Sequence, residues 1–228
     1  MSVLIEDLCS IPLFADFNDA ELADVWQATS ARDYPARAIV FAQGQPSPGL
    51  WFVQRGRVRL YRSNDDGREF TLCIARRDNL PCLGGCPLLD GDLSPVTAQA
   101  LEPSTLFFLE RQRALTIAAN SLSMARVVSR VLAAHSRHLA RLSSGLALRC
   151  SMPRLVDLLL TYATERGHAT ERGIELNLDI SHELLGTILG MTPQMIAQDF
   201  LRLEREGLVD ARGKHIVIRS MGRLAQKL

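Results

Sequence analysis

Through the first 120 positions the chain changes texture about every ten residues. Segments 38–42 (AIVFA), 50–54 (LWFVQ), 57–62 (RVRLYR), 70–75 (FTLCIA) and 106–109 (LFFL) are short and rich in β-branched or aromatic residues. Between them stand GQPSPG at 44–49, Gly56, and NDDG at 64–67. Side chains that suit a pleated surface, punctuated by Gly, Pro, Asn and Asp, predict strands joined by turns. NDDG predicts a hairpin, because Asp and Gly accept the positive φ that such turns need. Short strands at this spacing imply an all-β sandwich or barrel-like roll.

The period then changes to that of a helix. Residues 113–146 contain no proline and one glycine, and Ala125, Val128, Leu132, His135, Leu139, Leu142 and Leu146 recur in alternating steps of three and four. Such an a/d seam must pack on something, and a second copy of the same helix is the economical partner. The expectation is a dimerisation helix; the alternative is a helix lying along its own β-domain. His135 falls in the seam, and His138 is expected to face solvent.

Cys150-Ser151-Met152-Pro153 breaks the pattern, with Pro153 suited to the first turn of a new helix. Residues 154–166 (RLVDLLLTYATER) are amphipathic, Gly167 ends them, and 174–178 (IELNL) alternate as a strand. Residues 181–207 read SHELLGTILGMTPQMIAQDFLRLEREG. Ser181 predicts an N-cap before the apolar face Leu184, Leu185, Ile188 and Leu189; Gly190-Met191 predicts a turn. Thr192 caps a second helix with Pro193 first, buried through Ile196, Phe200, Leu201 and Leu203. VDARGKHIVIRS then supplies two strands joined at Arg212-Gly213-Lys214. This order predicts a helix-turn-helix followed by a β wing. The whole is an α+β chain: roll 1–120, long helix 121–149, winged helix-turn-helix 150–228.

With 228 residues, 47% apolar and 22% charged, the balance is that of a globular protein. No apolar run reaches the roughly 20 residues of a membrane span. The N-terminal MSVLIEDLCSIPLF lacks a basic region, so a cytoplasmic protein with no membrane partner is expected. The cysteines Cys9, Cys73, Cys82, Cys86 and Cys150 are then reduced thiols or ligands. The net charge of +1 conceals Arg126, Arg130, Arg137, Arg141, Arg149 and Arg154 in one run, and Arg212, Lys214, Arg219, Arg223 and Lys227 near the end. Both a polyanionic partner and a solvated helix face are compatible with it. No Ser-His-Asp set, Walker loop or paired-carboxylate cluster suggests an enzyme.

The segment 181–207 and its wing resemble the DNA-binding domain of the cAMP receptor protein/FNR superfamily of bacterial transcription regulators. VFAQGQPSPGLWFVQRGRVRLYRSNDDGRE, LLDG and ALEPSTLFFL are similar to its cyclic-nucleotide-binding-type roll, and the long helix to its dimer helix. The resemblance implies a homodimer that reads a near-palindromic operator in double-stranded DNA and works with RNA polymerase. One recognition helix per subunit would enter the major groove. The reading positions it implies are an Arg-Glu pair after the cap and an Arg four residues beyond that Glu; here Pro193, Gln194 and Gln198 stand there. Glutamine pairs bidentately with adenine, so a changed half-site follows. Ser181, Thr192, Gln194, Met195 and Gln198 are the expected contact residues, with Arg202, Arg212, Lys214 and His215 on phosphates.

In cyclic-nucleotide-binding members a Gly-Glu pair holds the ribose and an Arg-Ser pair the phosphate. By resemblance those slots fall on Gly84-Gly85 and Ser94-Pro95, and the base-facing helix positions on Leu139 and Ala140. The charged ligands are missing, which argues against cAMP. The region carries PCLGGCP, with Cys82 and Cys86, and DNLPCLGGC is similar to the cysteine-bearing segment of the haem-based carbon monoxide sensors. The histidine those sensors place after the first cysteine is replaced by Gly84, so His135, His138 or Cys9 would have to complete a haem site. An iron–sulfur cluster on Cys9, Cys73, Cys82 and Cys86 is a second candidate, and a Cys82–Cys86 dithiol a third. Alternatively the cysteines only pack. Two functions remain: an effector-regulated transcription factor, or a ligand-sensing module that acts on protein partners.

Overall fold

The computed structural model describes residues 5–9, 11–78, 82–83, 93–148 and 151–228. Its architecture turns on β3 (Gly49–Arg55) and β8 (Ser104–Glu110), which pair antiparallel and are buried on both faces. Leu50, Phe52, Phe107 and Leu109 point to a layer of helices, while Trp51, Val53, Leu106 and Phe108 point into the roll. Double burial is why LWFV and LFFL are unbroken apolar runs.

One sheet runs β1 (Thr29–Tyr34), β8, β3, β6 (Cys82–Leu83); the other runs β2 (Ile39–Phe41), β7 (Thr97–Ala100), β4 (Val58–Ser63), β5 (Glu69–Ala75). Phe41, Val58, Leu60, Ala75 and Ala98 of the second sheet meet Trp51, Val53, Leu83, Leu106 and Phe108 of the first in a common interior. Trp51 lies between Phe41 and Phe108, with ring centroids 4.8 and 5.0 Å away. The hairpin expected at NDDG joins β4 to β5: Gly67 takes φ 75°, and Gly67 N–H donates to the Asn64 carbonyl at 3.0 Å.

The helical layer comprises α1 (Ile5–Cys9), α2 (Asp19–Ala28), α3 (Arg111–Asn120) and the first part of α4 (Leu122–Leu148). Asn18 and Glu21 form a capping box at the start of α2. Glu21 also ties α2 to α4, because Ser121 Oγ donates to Glu21 Oε1 at 2.7 Å and accepts from Met124 N–H. The long helix therefore begins at Leu122, after a break at Ser121.

The seam expected along α4 divides. Val128 and Leu132 pack with Met124, Val127 and Val131 on the chain's own helical core. His135 is half-buried and Leu139 is 43% exposed. Packing on the chain's own domain thus describes the upper half of the helix. His138 corrects the expectation of a solvent-facing residue: its Nε2 lies 2.6 Å from the Leu72 carbonyl of β5 and donates to it. The cause is tertiary, since the edge strand β5 offers a carbonyl that α4 reaches.

Two compact units divide at Leu139 and Ala140, both within α4, so the segment 121–149 is shared between them. The second unit contains α5 (Ser151–Arg166), α6 (His182–Leu189), α7 (Pro193–Arg205), α8 (Met221–Ala225) and a sheet ordered β11 (Val209–Arg212), β12 (His215–Ile218), β10 (Gly173–Asn177), β9 (His168–Thr170). Pro153 is accommodated because the first turn of a helix makes no use of its N–H. Leu155, Val156 and Leu159 are buried with Leu185, Ile196, Phe200, Leu203, Ile216 and Ile218 in this unit. Among the described residues no helix is long and apolar enough to cross a membrane.

Candidate nucleic-acid interface and sensor region

The two helices of the predicted motif meet around two glycines. Gly190 ends α6 in the left-handed region, φ 61° and ψ 42°, where L side chains are strained. A Cβ on Gly186 would stand 2.7 Å from the Met191 carbonyl oxygen, closer than a carbon and an oxygen can pack without the backbone shifting. Met191 N–H donates back to the Gly186 carbonyl at 3.0 Å. The glycine inside an apolar helix is thus a close-approach position, for which HELLGTILG was the available signal.

Both expected caps form. Ser181 Oγ accepts from Leu184 N–H at 3.1 Å, and Thr192 Oγ1 from Met195 N–H at 3.2 Å. These two residues therefore fix the helix starts as well as lying exposed at them. Ile196, Phe200 and Leu203 hold α7 down; Leu201, expected on the buried side, is 51% exposed. Gln194 and Gln198 are exposed, and Met195 is 38% exposed. The structure thus presents all the expected reading residues of α7 on its open side.

The cations follow at the end of α7 and on the wing. Arg202 pairs with Glu206 at 3.3 Å, and Glu206 also takes Lys227 at 2.6 Å; these partners hold its carboxyl below the usual range. Gly213 and Lys214 turn the wing between Arg212 and His215, which face each other across the hairpin. His215 Nε2 lies 3.5 Å from Glu175, while Arg212 and Arg219 both approach Asp210, at 3.7 and 3.8 Å. Lys214 is exposed at the wing tip.

The run of arginines is partly structural. Arg130 pairs with Asp16 at 2.6 Å, and Arg154 donates to a backbone carbonyl in the second unit. Neither role was visible without the fold.

In the roll, Ser94 is buried and its hydrogen bonds are internal: Oγ donates to the Val96 carbonyl at 2.8 Å, and its backbone pairs with Gly44 and Gln45. Ser94 is therefore used to hold the loop that was expected to line an effector site. Gly84, Gly85, Cys86 and Cys150 lie outside the described residues, as does the side chain of Cys82. Cys9 is exposed, whereas Cys73 packs against the roll interior, where burial pushes its thiol up to about 12. Cys73 is thus a thiol and not a thiolate at neutral pH.

His135 has a buried Nε2 with no hydrogen-bond partner. Burial and the neighbouring His138 lower its pKa, so the ring is neutral. Among the described residues no group of three or more His, Cys, Asp and Glu side chains could hold a metal ion. A surface cleft lined by Gln43, Arg62, Asn64, Arg68 and Phe70 opens beside the β4–β5 hairpin, and none of the expected effector residues lines it.

Comparison with known proteins agrees with this division. Residues 31–121 match the cyclic nucleotide-binding domain, and residues 153–227 the Crp-like helix-turn-helix domain. The transcriptional activator protein FnrA of Stutzerimonas stutzeri is 22% identical over 94% of this chain and 86% of its own length. A CRP-like cAMP-activated global transcriptional regulator of Mycobacterium tuberculosis is 23% identical over 97% of this chain and 98% of its own. Among solved structures, a variant of CooA from Carboxydothermus hydrogenoformans superposes with a TM-score of 0.77 at 18% identity, covering 99% of this chain and 96% of that one.

Proposed function

We propose that this chain, a member of the CRP/FNR superfamily of transcription regulators, binds a near-palindromic operator as a homodimer under control of a signal received in its roll. The observation that carries the reading is the exposed face of α7, held by buried Ile196, Phe200 and Leu203 and followed by a cationic wing tip at Lys214. A helix anchored in this way can enter a major groove, with the wing on the phosphates. Two such helices need a dimer, for which Leu139, exposed on the lower seam of α4, offers an apolar contact. The bound dimer then recruits or blocks RNA polymerase from the cytoplasmic side of the cell.

A cAMP signal fits poorly. Ser94-Pro95 stands at the phosphate slot, and the Ser94 hydroxyl already serves Val96. For a haem, His135 is the described residue whose donor fits, because its neutral, buried Nε2 lacks a partner. A haem bound there would supply a gas-binding iron. Cys73 would first have to lose a proton that burial holds.

Mobility shifts of promoter-derived palindromes test the reading. A shift on one sequence and not on its scrambled form supports it; no sequence-specific shift in any ligand or redox state would sink it. An absorption spectrum of protein purified without oxygen separates a haem Soret band from the broad absorption of an iron–sulfur cluster and from colourless thiols.

A further inference from the structure

At 100° per residue, Gln194, Ala197, Gln198, Leu201 and Arg205 fall on one face of α7. All five are exposed, and the buried Ile196, Phe200 and Leu203 lie on the other side. From Gln194 to Leu201 this face carries two amides and two apolar side chains but no cation. Arg205 arrives only in the last turn, and Arg202, beside the face, is engaged by Glu206.

The chemistry of such a face is selective. Guanine offers two acceptors in the major groove, O6 and N7, and a bidentate partner must present two donors, as Arg does. Adenine offers N6–H as donor and N7 as acceptor, which one glutamine amide matches with its own oxygen and nitrogen. Thymine adds a methyl group, which wants an apolar neighbour. Gln194 and Gln198 are four residues apart, a rise of about 6 Å, or about two base-pair steps. Ala197 and Leu201 lie alongside them on the same face.

From this pattern we infer that α7 reads A·T pairs about two steps apart, with the two glutamines on adenines and Ala197 and Leu201 against thymine methyls. The inference rests on the DNA-binding reading above and names the class of half-site that reading leaves open. It also makes affinity depend on cations outside the reading turns, such as Lys214 at the wing tip.

The test uses the full-length protein and operators enriched from a random duplex pool. The expected core holds A·T at two positions per half-site. Replacing thymine by deoxyuridine there removes only the methyl groups and should weaken binding several-fold, while 7-deazaadenine, which lacks the N7 acceptor, should weaken it about tenfold. Gln198→Arg should move the preference at its position to G·C, and Leu201→Ala should lessen the effect of deoxyuridine without removing it, since Ala197 keeps its contact. Gln198 and Leu201 are exposed, so melting curves of these variants should match the parent protein. A specific operator with a G·C core, or one indifferent to both base analogues, would overturn the inference and leave the DNA-binding reading standing. Absence of any specific binding would overturn both.

Discussion

Arg154 of α5 donates from Nη1 to the carbonyl of Leu189, the last residue of α6, at 2.6 Å. A continuing helix would satisfy that carbonyl from four residues on, but the chain turns at Gly190 and position 193 is a proline without an N–H. Arginine supplies the missing donor, with a positive charge suited to a helix C-terminus. Arg154→Met should therefore lower the stability of the C-terminal unit by about 1–3 kcal/mol, read as an earlier urea midpoint with unchanged slope. Unchanged stability would mean that water replaces the guanidinium.

Glu21 gives a pH dependence of known sign. The Ser121 hydroxyl, and after it the Asn18 backbone N–H, hold its carboxyl below the ordinary 4.5. A depressed carboxylate contributes stability above its ordinary pKa and loses it as pH falls through the folded-state value. Glu21→Gln should thus be less stable than the parent protein at pH 7, with the difference closing as pH falls below 4.5. Urea titrations at both ends of that range check it. A constant difference would assign the effect to shape and not to charge.

The thiols should differ in reactivity. Cys9 is exposed, while Cys73 is held protonated with a pKa of about 12. Brief alkylation of native protein at pH 8, followed by peptide mapping, should label Cys9 and spare Cys73. Equal labelling would show that the roll opens at β5.

Among the described residues, Leu139 is the apolar seam residue left most open, 43% exposed. If the lower seam joins two copies, Leu139→Glu places two desolvated carboxylates at the junction and should weaken dimerisation by at least about tenfold in sedimentation velocity. An unaffected dimer would place the interface elsewhere.

The parts legible in the sequence are those whose signal is local. Residues 49–55 and 104–110 announced themselves because both of their faces are buried, and the second helix of the motif because Thr192, Pro193 and Gly207 mark its ends. β1 (TSARDY), β7 (TAQA) and β9 (HAT) carry no apolar alternation and are strands because a neighbour offers them a ladder. The capping box of Asn18 and Glu21 was a local signal for α2 all the same. His138, Arg154 and Ser94 could not be placed in advance. Their partners are backbone carbonyls, at Leu72, Leu189 and Val96, and a carbonyl is the same on every residue. The seam of α4 was ambiguous for a related reason: periodicity shows that a stripe is buried, not which surface buries it.

Fluorescence anisotropy of the full-length protein on its best selected operator and on a scrambled duplex, across a salt series, tests the central claim most directly. Specific DNA reading by paired α7 helices predicts one dimer per operator and a preference of about a thousandfold or more over the scrambled duplex at physiological salt. It also predicts that Gln194→Ala weakens the operator alone, whereas Lys214→Ala weakens both duplexes and flattens the salt slope. Equal affinity for the two duplexes in every ligand and redox state would contradict it.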